Sequence, residues 1–155
     1  MASSVLRSAA RALYGVLALS AFLTLALASA ALADDLTNRI DGTVDTTLEN
    51  ITLAEGASQS VAFGVVQKGG DGEGGCNIDA GEQFVAALSS SDNSVATVNP
   101  QALSFTSCTL DQSTTVTAGA RGTATVTAAT QSNTTGNGAF NYAPASFTVT
   151  VAVPL

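Results

Sequence analysis

The sequence predicts an all-β fold, an antiparallel β-sandwich of about seven strands preceded by an export signal. Three observations carry this expectation. Apolar and polar residues alternate in short runs, as where Phe147, Val149, Val151 and Val153 interleave with Ser146, Thr148, Thr150 and Ala152. A period of two is that of a strand with one buried face. Clusters of Gly, Ser, Asn and Asp separate these runs at short intervals, as turns do in a sandwich. No window of comparable length places apolar residues at helical spacing.

Residues 1–33 read as a secretory signal. Arg7 and Arg11 form a basic start, and no charge follows from Ala12 to Ala33. Ala31-Leu32-Ala33 then fits a small-x-small cleavage pattern directly before Asp34-Asp35. An uncleaved anchor is the competing reading, since 22 uncharged residues can just span a bilayer. The many Ala and Ser residues and the placement of the cleavage pattern favour removal, and with it a secreted or cell-surface product. Residues 34–155 keep all 12 acidic side chains against three basic ones, Arg39, Lys68 and Arg121, and hold 19 Thr. Such a Thr- and Val-rich, charge-poor composition suits pleated strands.

Residues 34–45 are polar and acidic, with isolated Leu36, Ile40 and Val44, and are expected to form a flexible arm. The sandwich is expected over 46–155. Its strands are placed at 48–53, at 59–66 with Val61, Phe63 and Val65 on one face, and at 84–88 with Phe84, Ala86 and Leu88 on one face. Two short strands flank the turn dipeptide Asn99-Pro100, and others are expected at 114–118, 123–128 and 146–153.

Cys76 and Cys108 are the only cysteines. In an exported chain they are expected to pair, and only one intramolecular pairing exists. Closing that loop is worth roughly 3.5 kcal/mol on chain entropy.

The run Ser89-Ser90-Ser91-Asp92-Asn93-Ser94-Val95-Ala96-Thr97-Val98 resembles a stretch of bacterial Ig-like domains of the group 2 type. Gly119-Ala120-Arg121-Gly122-Thr123-Ala124-Thr125-Val126-Thr127 is similar to a strand of the same modules. With Ala54-Glu55-Gly56, Gly75-Cys76-Asn77, the run 103–108 and the run 144–151, the resemblance covers most of residues 48–153. It implies an Ig-like sandwich of the kind that acts as spacer, stalk or adhesive domain on cell surfaces. It brings no catalytic residues to carry over.

The composition excludes several classes of function. The chain has no His, so it offers no imidazole base and no His-ligated metal. A formal charge of −7 argues against a nucleic-acid partner. Carboxylate-pair catalysis would draw on Asp71, Glu73, Asp79 and Glu82, which share one Gly-rich loop without a rigid frame. A self-made Lys–Asn crosslink would need Lys68, which borders Gly69-Gly70 rather than sitting in a strand, so the sequence argues against it. No enzyme is expected.

The same four acidic residues are the candidate Ca²⁺ ligands. Counted from Asp71 they fall at positions 1, 3, 9 and 12 of an EF-hand loop, but position 6 is Cys76 and neither flank is helical. A looser oxygen-ligated Ca²⁺ site and a solvated acidic hairpin remain open; no other cofactor is expected. Asn137, Phe140 and Tyr142 form a second candidate, a binding loop in which the aromatics serve either as stacking platforms or as plugs of the sandwich end.

The function expected is therefore binding or adhesion at a cell surface by a secreted, non-catalytic Ig-like module. Its contacts are expected in the loops 69–82 and 131–143, and its partner is a protein or cell-surface component. After signal cleavage no membrane contact is expected. The alternative is a structural subunit that self-associates by lending its N-terminal arm as a strand to a neighbour.

Overall fold

The structure, a computed structural model, describes residues 33–68, 75–136 and 138–153. The signal reading, Ala33 apart, lies outside these residues. The described chain forms ten strands and one short 3₁₀ turn. In chain order the strands are β1 Asp34–Asn38, β2 Glu49–Ala54, β3 Ser58–Val66, β4 Phe84–Ser90 and β5 Ala96–Asn99. They continue with β6 Ala102–Phe105, β7 Gln112–Ala118, β8 Gly122–Asn133, β9 Phe140–Asn141 and β10 Phe147–Ala152, the turn being Ala143–Ala145. Among the described residues no helix is long and apolar enough to cross a membrane.

Two five-stranded sheets pack face to face, in the orders β5-β7-β3-β1-β9 and β2-β10-β8-β4-β6. This is an Ig-like sandwich. Its pairings are antiparallel except β1 with β9 and β2 with β10, which are parallel. The strand after β4 crosses to the first sheet as β5, and β6 returns to pair with β4. The cis Asn99-Pro100 peptide lies in the connection between them.

The alternation read from the sequence sets the inner faces. Val61, Phe63 and Val65 of β3 face Phe147, Val149 and Val151 of β10 through the core, with the Phe63 and Phe147 rings 6.3 Å apart. Phe84, Ala86 and Leu88 of β4 are buried beside Ala124 and Val126 of β8. Full burial of each Phe or Val contributes about 1.5–3 kcal/mol, and Phe63, Phe84, Phe105 and Phe147 are wholly buried. Leu48, expected to open the first strand, lies outside β2 and is exposed.

Two strands, β1 and β9, join the eight placed from the sequence. β9 is two residues long, too short for any periodicity to announce. The other addition corrects the expected arm over 34–45: its first five residues are β1, buried at every position between β3 and β9. Leu36 is the only apolar side chain of this strand, and it enters the core. Loops and strands supply partners to Asp34, Asp35 and Asn38, while the buried Thr37 hydroxyl has no hydrogen-bond partner among the described residues. Asn38 Nδ2 donates to the carbonyl oxygens of Pro144 and Ser146, at 3.2 and 3.4 Å. Only the stretch from Arg39 to Leu48 matches the polar, strand-free character expected of an arm.

Candidate functional site

One end of the sandwich, where β3 ends and β4 and β9 begin, gathers most of the unusual chemistry. Asp34 opens β1 there, wholly buried. Its Oδ1 accepts the backbone N–H of Lys68 at 2.7 Å, and its Oδ2 that of Asn77 at 2.9 Å. A carboxylate accepting backbone N–H groups is favoured in its charged form, which is how such a group survives burial. The Cys76–Cys108 disulfide forms as expected, and Cys108 Sγ lies 3.6 Å from Asp34 Oδ2. That bond ties the segment before β4 to the β6–β7 connection.

The two loops expected to make contacts are brought together at this end. Asn77 Nδ2 donates to the Ala139 carbonyl at 2.9 Å, and Asp34 N–H donates to the same carbonyl oxygen at 3.0 Å. Gln83 and Thr134 exchange backbone and hydroxyl hydrogen bonds of 2.9–3.1 Å. Gly138 fits only because it lacks a side chain: a Cβ there would lie 2.7 Å from the Asn77 carbonyl oxygen. The described parts of both loops are therefore hydrogen-bonded to each other.

Of the four candidate Ca²⁺ ligands, Asp71 and Glu73 lie outside the described residues. Asp79 is exposed, and Glu82 Oε2 accepts the Asp79 backbone N–H at 3.0 Å while Glu82 N–H donates to the Asp79 carbonyl. Glu82 thus closes a tight turn with one of its oxygens. Sequence reasoning missed a closer acidic group in the Arg39–Leu48 stretch and the start of β2. Oxygens of Asp41, Asp45 and Glu49 lie within 4.8 Å of one another. Asp41 and Asp45 cap their own turns, Asp41 Oδ1 accepting both the N–H and the hydroxyl of Thr43. The Thr43 hydroxyl and N–H hold the Asp41 carboxyl below its ordinary value. Glu49 is pushed up, first by desolvation and then by the charges of Asp41 and Asp45.

The binding-loop candidates divide in the same way. Asn137 lies outside the described residues. Phe140 is buried on β9 and stacks on Phe84 with ring centroids 4.1 Å apart, and Phe84 also stacks on Phe105 and Tyr142. The Tyr142 hydroxyl bonds to Thr130. Phe140 spends its ring on closing the core, which is the plug geometry rather than an open platform.

A third constellation joins three strands. Asp35, on β1, lies opposite Val66 of β3 and Asn141 of β9. Its side chain is 3 % exposed, and Lys68 Nζ, just beyond β3, approaches Asp35 Oδ2 at 2.8 Å. Asn141 Nδ2 donates to Asp35 Oδ1 at 2.7 Å, and Asn141 Oδ1 accepts the Ala143 N–H at 3.2 Å. One buried carboxylate thus bridges the chain's single lysine and a carboxamide on the opposite neighbouring strand.

No family model and no curated protein matches the chain. Among solved structures it is similar in fold to part of the S-layer protein rSbsC(31-844), at 17 % identity and a TM-score of 0.42, over 66 % of this chain and 12 % of that one. Domains 4 and 5 of SbsC give 14 % identity and a TM-score of 0.44 over 71 % and 51 % of the two chains. WR4, an MSP family member of C. elegans, gives 8 % identity and a TM-score of 0.44 over 76 % and 97 %. The chain thus spans about an eighth of the first structure and half of the second. The class of protein, an Ig-like β-sandwich, rests on the two packed sheets themselves.

Proposed function

We propose that this chain is a secreted, non-catalytic Ig-like module that binds a partner at a cell surface, and that its contact surface is the sandwich end built from residues 75–83 and 134–139. The observation that carries this reading is the hydrogen bonding between the two loops through Asn77, Ala139, Gln83 and Thr134. Loops fixed to each other and to a rigid sheet form a preorganised surface, which lowers the ordering cost of binding. The group 2 resemblance supports the same role. The strand-exchange alternative would require β1 to leave its seat between β3 and β9 and take the equivalent seat in a second copy.

The test is binding of the labelled exported chain to intact cells of its source. Asp79→Arg combined with Ala139→Arg, both at exposed positions of this surface, should reduce cell binding at least tenfold. Glu55→Arg, beyond the other end of β3, should leave it unchanged. Equal binding by both variants, or none by the unaltered chain, would overturn the proposal. Light scattering decides the alternative, which predicts assemblies that vanish when β1 is altered.

A further inference from the structure

We propose that the chain crosslinks itself, joining Lys68 Nζ to Asn141 Cγ in an amide bond with Asp35 as the proton carrier. The three groups are already assembled. Asp35 is buried and holds Lys68 Nζ at 2.8 Å on one oxygen and Asn141 Nδ2 at 2.7 Å on the other. The nucleophile and the leaving group therefore share one carboxylate, the arrangement that a proton relay between them needs. The acceptor is prepared as well. The Ala143 N–H that donates to Asn141 Oδ1 points at the oxygen where negative charge develops when the carboxamide carbon is attacked.

The reaction balances without any co-reactant. Asp35 takes a proton from the Lys68 ammonium, which converts the ion pair into two neutral groups and frees the amine lone pair. Nζ attacks Cγ of Asn141, and the oxyanion forms on Oδ1. Asp35 passes its proton to Nδ2 and receives one from Nζ. The Cγ–Nδ2 bond then breaks as the Cγ–Nζ bond stands. The nitrogen of Asn141 departs as ammonium, carrying off the extra proton that Lys68 brought, and Asp35 is again a carboxylate. The chain acts once, on itself, so the step is consistent with a module that turns over no substrate. The product would tether β3 to β9 across β1 and fix the buried N-terminal strand at both of its neighbours. Holding Asn141 on β9 and Lys68 two residues beyond β3, both against Asp35, supplies the orientation that makes such a reaction intramolecular.

The experiment is intact-mass and tryptic analysis of the folded, disulfide-bonded exported chain. The expected mass is lower than that of the sequence by one ammonia. Trypsin is expected to leave the bond after Lys68 uncut, and residues 40–121 should stay joined to residues 122–155 after reduction. Lys68→Arg keeps a cation beside Asp35 but supplies no amine nucleophile. It should restore the full mass and be cut after position 68. Asp35→Asn should also restore the full mass; if that variant does not fold, Lys68→Arg decides alone. A folded unaltered chain of full mass, cut after Lys68, overturns the proposal. So does an ammonia loss that persists in Lys68→Arg, which would mark cyclisation of an asparagine on its own backbone.

Discussion

The Asp34 carboxylate and the backbone N–H of Asn77 meet at 2.9 Å, joining the first residue of β1 to the segment that leads into β4. The other oxygen of Asp34 holds Lys68 N–H at 2.7 Å, so one buried side chain fixes both flanks of the connection between β3 and β4. In Asp34→Ala both N–H groups lose their acceptor, that of Asn77 at a buried position. Each such loss costs about 1–3 kcal/mol, so the variant should unfold at a clearly lower urea midpoint. A midpoint shift worth less than about 1 kcal/mol would show that the connection is held by something else.

The disulfide acts on the same end by a different route. Cys76 and Cys108 are 32 residues apart, and opening the loop they close should cost roughly 3.5–4 kcal/mol in unfolded-state entropy. The paired substitution Cys76→Ser with Cys108→Ser should therefore lower the melting temperature by many degrees. An unchanged melt would mean that Asp34 and the Asn77–Ala139 hydrogen bond hold the loops unaided.

How far the sequence foretold this end depends on what kind of signal each part carried. β3, β8 and β10 were legible because each buries one face, which writes a period of two into the chain. β1 was illegible because Asp34, Asp35, Thr37 and Asn38 are all buried, the first two and Asn38 against partners in distant loops and strands, leaving no alternation to read. The disulfide was legible because two cysteines leave one choice. The Asp35–Asn141 contact spans 106 residues and exists only because β1 slots in parallel beside β9. Without that topology nothing in the sequence places the Lys68 amine on the same carboxylate as Asn141.

Two glycines, Gly64 within β3 and Gly119 just after β7, separate close packing from mere proximity. At Gly119 a Cβ would lie 2.3 Å from the Ser94 carbonyl oxygen, which is backbone in the turn before β5. At Gly64 a Cβ would lie 2.6 Å from Asp111 Oδ1, the mobile end of a side chain paired with Arg39 at 2.7 Å. Gly119→Ala should thus destabilise by about 1–3 kcal/mol through forced backbone movement. Gly64→Ala should cost less, since a half-exposed ion pair can yield at a cost of about 1 kcal/mol or below. Parallel denaturation curves check the order, and equal costs would show that the turn at Ser94 moves freely.

The last prediction concerns Glu49, at the start of β2. Its folded-state pKa is raised, by desolvation and then by the neighbouring charges of Asp41 and Asp45. The folded state therefore holds the Glu49 proton more tightly than the unfolded chain does. Linkage then makes the ionised Glu49 a destabilising group at neutral pH. That penalty is fully present above the raised folded-state value. It fades as the pH falls from there to the unfolded value, near 4.3. Glu49→Gln removes the charge at every pH, so the variant should be more stable than the unaltered chain at pH 7. The difference should shrink as acid protonates Glu49 in the latter. Because the group is exposed, added salt should shrink it too, by screening the repulsion from Asp41 and Asp45. Thermal melts of both chains across pH 3–8 at two salt concentrations provide the check. A variant less stable at pH 7 would show instead that the Glu49 carboxylate is gripped by a cation or donor in solution.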